Sequence, residues 1–375
     1  MGAGPVANEP EMSAMPGGRM DAGSGVGSPN PRPRQRTSRP NMSQVAERAG
    51  VAVSSVSRVL SDDPDVSSLM RNRVLDAVAA LGYERDPLAR SMRTGATYSV
   101  GFVAINIANP VIAANVAGAE EELRHAGYSL LISNSQADPS LDAAYLRYFD
   151  LRRVDGLLLS LADEKHPETL KILRGLSQPM VLIDRSLPAD IEVGAVVHDH
   201  AAGVVPAVQY LLELGHTRLA LINGAPRVRP SRERAAAMRA AVRRTAGVTC
   251  SVRAGAYSAD HGYKATINLM LEDLAPTAIL VGGNQIMNGV MEALRVVGAR
   301  IPDDVSLVMF DTVPLAEFLD PPLASITRDP SGVGRLAAQL LLEQITGGPP
   351  RVAVLPTAFH RAGSCGPAPR HPFRA

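Results

Sequence analysis

Two groups of residues in this chain have the types and spacing for recognition, and neither suits bond breaking. Asp184 closes the run MVLID, Asp311 closes SLVMFD and Asn284 follows AILVGG, so three hydrogen-bond acceptors could meet at strand ends. Arg234, in SRERAAAM, could add a donor fork, and Tyr257, in AGAYSAD, a stacking wall. Carboxylates beside an arginine and a ring suit the neighbouring hydroxyls of a sugar or nucleoside, because Asp accepts hydroxyl hydrogens and Arg donates back. The plainer alternative is that both aspartates cap the turns after their strands. The second group lies in VAVSSVSRVL, residues 51–60. Val53, Val56, Val59 and Leu60 share a helical face, while the opposite face carries Ser54, Ser55, Ser57 and Arg58. Short side chains let a helix backbone approach phosphates and base edges, and Arg58 can span a guanine O6/N7 pair. Here the alternative is an ordinary helical pair packed in a bundle.

Enzyme templates find no match. Gly-x-Ser-x-Gly, Walker, paired-glycine dinucleotide and His-Glu-x-x-His patterns are missing, and the eight histidines are scattered. His216, in LGHTRLAL, reads as a turn residue rather than a base. Cys250 and Cys365 stand far apart without metal or disulfide spacing. The reading is therefore no enzyme, no cofactor and no metal. Net charge is +1, and residues 41–95 balance seven arginines (48, 58, 71, 73, 85, 90, 93) against seven acids (47, 62, 63, 65, 76, 84, 86). Any basic surface for nucleic acid must come from segregation on one face.

The elements that position these groups follow from the patterning. Across 375 residues, 46% of them hydrophobic, two or three domains are expected. Residues 1–40, rich in Gly, Pro and Ser, read as a disordered tail. It ends in RPRQRTSR, whose Arg32, Arg34, Arg36 and Arg39 form either a solvated charge run or an arm touching phosphates. Residues 41–85 read as three short helices, the first capped by Asn41 and stopped at Gly50, the third capped by Ser67. The short turn at Gly50 has helix-turn-helix spacing. The linker ERDPLARSMRTGAT, with a marginal helix starting at Asp86 and Pro87, occupies 86–97. From Tyr98 to about residue 367, short apolar runs alternate with helical stretches such as 113–126, 203–214, 231–245, 286–297 and 331–346. That pattern predicts parallel sheets with helices on both faces, as two doubly wound lobes of α/β type with a ligand cleft between them. Residues 368–375 read as a disordered tail. Neither an apolar run of about 18–20 residues nor a basic segment before an apolar core is present, so a cytoplasmic chain with no membrane association is expected.

The runs MSQVAERAGVAVSSVSRVLSDDPDVS and RVLDAVAALGYERDPLARSMRTG resemble the headpiece of the lactose-repressor/galactose-repressor family of bacterial transcription regulators. The resemblance continues through GFVAINIANP, RRVDGLLL, LIDRSLP, LLELGHTRLALI, SRERAAAM, IPDDVSLVMFD and LDPPLASI, covering roughly residues 40–365. It implies an all-α headpiece and a periplasmic-binding-protein-like core. It implies base contacts from Val53, Ser54 and Arg58, phosphate contacts from Ser55 and Ser57, and backbone approach by Tyr83 and Asp86. A hinge helix would wedge Met92, with Ala89 beside it, into the minor groove. In the cleft it implies effector contacts from Arg234, Asp311, Asp184 and Tyr257, with Asn109, Val111 and Ile112 on a loop at the mouth. Gly282, Gly283 and Asn284 stand where many members have Ala-Asn-Asp, which disfavours a simple pentose or hexose. Asp86 and Pro87 replace the common Asn-Ala of the hinge. The expected protein is a homodimeric regulator, a repressor, binding double-stranded DNA at a near-palindromic operator and a small-molecule effector. The alternative is a solute-binding protein of the same two lobes without DNA.

Overall fold

A computed structural model of the chain describes residues 40–83, 95–311, 318–371 and 373. The tail up to residue 39 and most of the expected hinge, including Asp86, Ala89 and Met92, lie outside the described residues. The chain divides into two compact units, residues 1–85 and 86–375.

The first unit holds α1 (Met42–Ala49), α2 (Val53–Leu60) and α3 (Ser68–Leu81). Asn41 and Gln44 form a reciprocal capping box at 3.0 and 2.9 Å, satisfying two backbone N–H groups that the first turn leaves open. Gly50 ends α1 in the left-handed region at φ 64°, where a Cβ is disfavoured. Arg73 donates to the Ala49 carbonyl at 2.7 Å, placing a cation at the negative end of α1. Ser67 accepts from the Met70 amide and caps α3. The core is small: Val45, Ala46, Ala49, Val56, Val59, Val74 and Ala77. Val53 departs from the valine stripe expected of α2. It is 43% exposed, because it opens the helix and its Cβ points outside the three-helix contact.

In the second unit, one sheet runs in the order β11-β5-β4-β3-β1-β2, the other β12-β10-β9-β8-β6-β7. The first lobe contains β1 (Ser99–Ala104), α4 (Pro110–His125), β2 (Ser129–Asn134), α5 (Pro139–Arg152), β3 (Gly156–Leu159), α6 (Pro167–Gly175), β4 (Met180–Ile183) and β5 (Gly194–Asp199). The second contains α7 (Ala201–Glu213), β6 (Arg218–Gly224), α8 (Arg229–Val242), β7 (Thr249–Gly255), α9 (Ala259–Met270), β8 (Ala278–Val281), α10 (Asn284–Val297), β9 (Ser306–Phe310) and β10 (Ala324–Thr327). The chain then returns to the first lobe with α11 (Pro330–Ile345) and β11 (Val352–Pro356), and ends in the second with β12 (Ala358–His360). Central strands β3, β4, β8 and β9 are buried throughout, as parallel strands covered on both faces must be. β12 pairs antiparallel with β10, an exception to the all-parallel expectation, because after the last crossover the chain runs back along the edge.

Three crossovers therefore join the lobes: β5 to α7, β10 to α11, and β11 to β12. They lie side by side, with the Thr357 hydroxyl donating to the Asp199 carbonyl at 2.9 Å. Each lobe also packs one helix pair backbone to backbone. A Cβ at Gly334 of α11 would collide with the Asn115 carbonyl of α4, and one at Gly289 of α10 with the Ala259 carbonyl of α9. Gly334→Ala is expected to cost about 1–3 kcal/mol through overpacking; a lower melting temperature in calorimetry checks it. The tail read as disordered from 368 begins with an anchored residue. The Ala368 amide donates to Leu214 at 2.8 Å, and Phe373 packs partly buried against the second lobe.

Candidate functional site

At the carboxyl ends of both sheets lies a cavity of about 380 Å³, the size of a small-metabolite site. Asn109, Val111, Ile112, Asp184, Arg234, Tyr257, Asn284 and Asp311 all line it. Asp184 follows β4 and Asp311 follows β9, and both adopt left-handed backbone, at φ 51° and 63°. Aspartate tolerates that region better than most residues, and the turn aims each carboxylate inward. One residue outside the sequence-derived set joins them. Arg328, on the crossover after β10, donates Nε and Nη2 to Asp311 at 2.7 and 3.1 Å and Nη1 to Asp184. His198 donates to the other Asp184 oxygen at 2.8 Å. Burial alone would raise the Asp184 pKa, but the Arg328 charge and the His198 hydrogen bond override it and hold the carboxyl well below its usual range. The same pairing raises Arg328 against its own burial, with Asp311 the larger cause and Asp184 the next.

Around this floor further contacts join the lobes. Asn284 Nδ2 donates to Asn109 Oδ1 at 3.0 Å. Glu164, 2% exposed in the first lobe, accepts from the Arg229 amide at 2.6 Å and from Arg232 at 2.5 Å, both in the second. Arg234, 3% exposed, stacks its guanidinium 4.2 Å from the Phe310 ring centroid and donates Nη1 to the Gly282 carbonyl. Its Nε has no partner, and neither do the buried Asn115 Oδ1 and Ser160 Oγ that also line the cavity. Tyr257 donates to or accepts from Ser231 at 2.8 Å, and a Cβ at Gly283 would press on its ring at 3.3 Å, so the glycine leaves it room. Asn109, Val111 and Ile112 do not form a loop: Asn109 caps α4, and the other two are buried in its first turn. Burial, with Arg234 nearby, lowers the His200 pKa to about 2, so this ring stays neutral behind the cleft. His216 is structural, bonded to Thr277, Ser306 and the Gly366 carbonyl. Among the described residues no His, Cys, Asp or Glu group could hold a metal ion.

In the first unit, α2 exposes Val53, Ser54 and Arg58 and half-exposes Ser55 and Ser57. Arg58 Nε donates to Asp63 at 2.8 Å, which lowers the Asp63 pKa and raises that of Arg58. Its terminal nitrogens remain for a partner outside. Tyr83 packs partly buried against the headpiece core.

Residues 41–86 match the bacterial regulatory proteins of the lacI family, and residues 208–365 a periplasmic binding protein-like domain. The chain is 32% identical over 308 residues to the ribose operon repressor of Escherichia coli K12, covering 81% of this chain and 93% of that one. It belongs to the lacI family. To the HTH-type transcriptional repressor PurR of Haemophilus influenzae (strain PittEE), identity is 31% over 307 residues, covering 80% of this chain and 90% of that one. The lac repressor bound to ONPG in its repressed state superposes with a TM-score of 0.77 at 25% identity, over 87% of this chain and 100% of that one. This lacI-family chain is a DNA-binding transcriptional repressor, and its relatives are repressors rather than enzymes. No described helix is long and apolar enough to cross a membrane.

Proposed function

We propose that this lacI-family repressor acts in the cytoplasm as a homodimer on a near-palindromic operator. Its affinity there is set by a small polar metabolite, of the sugar, sugar-acid or nucleoside class, held between the lobes. The supporting observation is the cleft itself: strand-end aspartates of both lobes converge through Arg328 on a cavity of about 380 Å³ with buried, unpartnered polar atoms. In this reading Val53, Ser54 and Arg58 contact bases, and Ser55, Ser57 and Tyr83 approach the phosphate backbone. Asp86, Ala89 and Met92 belong to a hinge helix within 86–97 that folds on DNA, between a headpiece at 41–85 and a core at 98–367. Effector contacts come from Asn109, Val111, Ile112, Asp184, Arg234, Tyr257, Asn284 and Asp311. A two-fold dimer requires matching half-sites. Ligand that binds one lobe arrangement better than another shifts the operator-competent population. A solute-binding protein without DNA would have no use for residues 41–86.

A thermal-shift screen of sugars, sugar acids, polyols, nucleosides and purines tests the cleft, since a ligand specific to the folded state raises the melting temperature. A hit on the wild type is expected to vanish in Asp311→Ala and to change operator affinity. A hit that survives the substitution would place the ligand elsewhere.

A further inference from the structure

Among the described residues, the charged groups lining the cleft are Asp184, Arg185, Arg227, Arg234, Asp311 and Arg328, four cations against two carboxylates. Both carboxylates are already engaged by Arg328. What remains is a cationic surplus. Arg185, buried, donates only to the carbonyls of Leu161 and Asp184. Glu164 and Asp184 lie close enough to act on the Arg185 charge, but Arg234 has no carboxylate partner; it meets one carbonyl and a ring face, and its buried Nε is unpaired. A buried guanidinium without an anion is costly, so a site that keeps one is shaped for an anion arriving with the ligand. Backbone adds to this. The N-terminus of α10 borders the cavity without a side-chain cap, whereas α4 and α9 are capped by Asn109 and Ser258 and the first amide of α8 is taken by Glu164.

From these observations we infer that the effector is an anionic polyol, a hydroxylated compound bearing a carboxylate or phosphate, whose anion sits on Arg234 beside the start of α10. Its hydroxyls then meet Asn115 Oδ1 and Ser160 Oγ in the first lobe, both buried and unpartnered. Such a ligand spans the lobes, with charge on one and hydroxyls on the other. The departure at Gly282 and Gly283 fits the same chemistry: absent side chains leave the α10 amides open to an anion.

The inference rests on the cleft being the effector site, and matched pairs separate the two. Full-length protein is titrated calorimetrically with gluconate against glucose and with ribose 5-phosphate against ribose, with inorganic phosphate alone as a further probe. The expected result is that an anionic member binds at least tenfold more tightly than its neutral partner. Preference among the anions then distinguishes a sugar acid from a sugar phosphate. Arg234→Gln should remove that preference, bringing the affinity for the anionic member down to that for its neutral partner. Equal or tighter binding of the neutral members overturns the anion and leaves the cleft reading standing; no binding by either class removes both. If Arg234→Gln fails to fold, the wild-type pair comparison decides alone.

Discussion

Arg328→Met is expected to destabilise the protein by about 3–5 kcal/mol, the cost of leaving partners of a buried ion pair uncompensated. Asp184 and Asp311 have side chains only 7% and 9% exposed, and Arg328 reaches both, so its loss strands two carboxylates at once. Urea unfolding of wild type and variant reads the difference; a loss under about 1 kcal/mol would mean that water already screens the trio. The pH dependence should reverse as well. In the wild type the Asp184 pKa is held below its unfolded value, so the stability from its ionisation is complete above about pH 4 and is lost only as pH falls through the lowered value. Without the guanidinium, burial dominates and raises that pKa. The variant should then gain stability as pH falls toward about 4, the unfolded value, where the wild type does not.

Arg58→Ala should cost about 1–3 kcal/mol at one operator base pair and little at the others. The operator is first obtained by selection from random duplexes, then varied position by position in competition assays. A uniform loss on every sequence would assign Arg58 to phosphate instead. Asp63 makes the test sharper. By holding Nε at 2.8 Å it orients the fork and leaves the terminal nitrogens to the base edge. Asp63→Ala should therefore weaken the same base pair, by less than Arg58→Ala, without spreading to neighbouring positions.

Much of this was legible in the residues because a single physical rule governed each case. Acceptors at strand ends found Asp184 and Asp311, since a covered parallel sheet leaves only its carboxyl edge for polar groups. The same rule applies to Arg328, one residue beyond β10, but the run ASIT is short and partly polar and does not read as a strand. Glu164 lies in the turn between β3 and α6, and its partners Arg229 and Arg232 reach it only in the folded chain, so no local signal marks it. Edge strands β7, β11 and β12 were missed because their outer faces are solvated and break the apolar run. Helix starts were read up to three residues late, as at α4, where Pro110 occupies the first position and looks like a breaker. Val53 shows the opposite error. Its type argued for the core, while its place at the helix start put it outside.

The threefold passage between lobes also governs how the molecule is made. The first lobe needs α11 for its apolar core, through Val333, Ala337, Ala338, Leu340 and Leu341, and β11 to cover the open edge of β5. The second needs β12 and the segment around Cys365. Neither half can finish until α11, β11 and β12 have left the ribosome, so neither lobe can fold on the N-terminal part of the core alone. Nascent chains carry unfinished apolar surfaces until those elements emerge, and the two halves mature together.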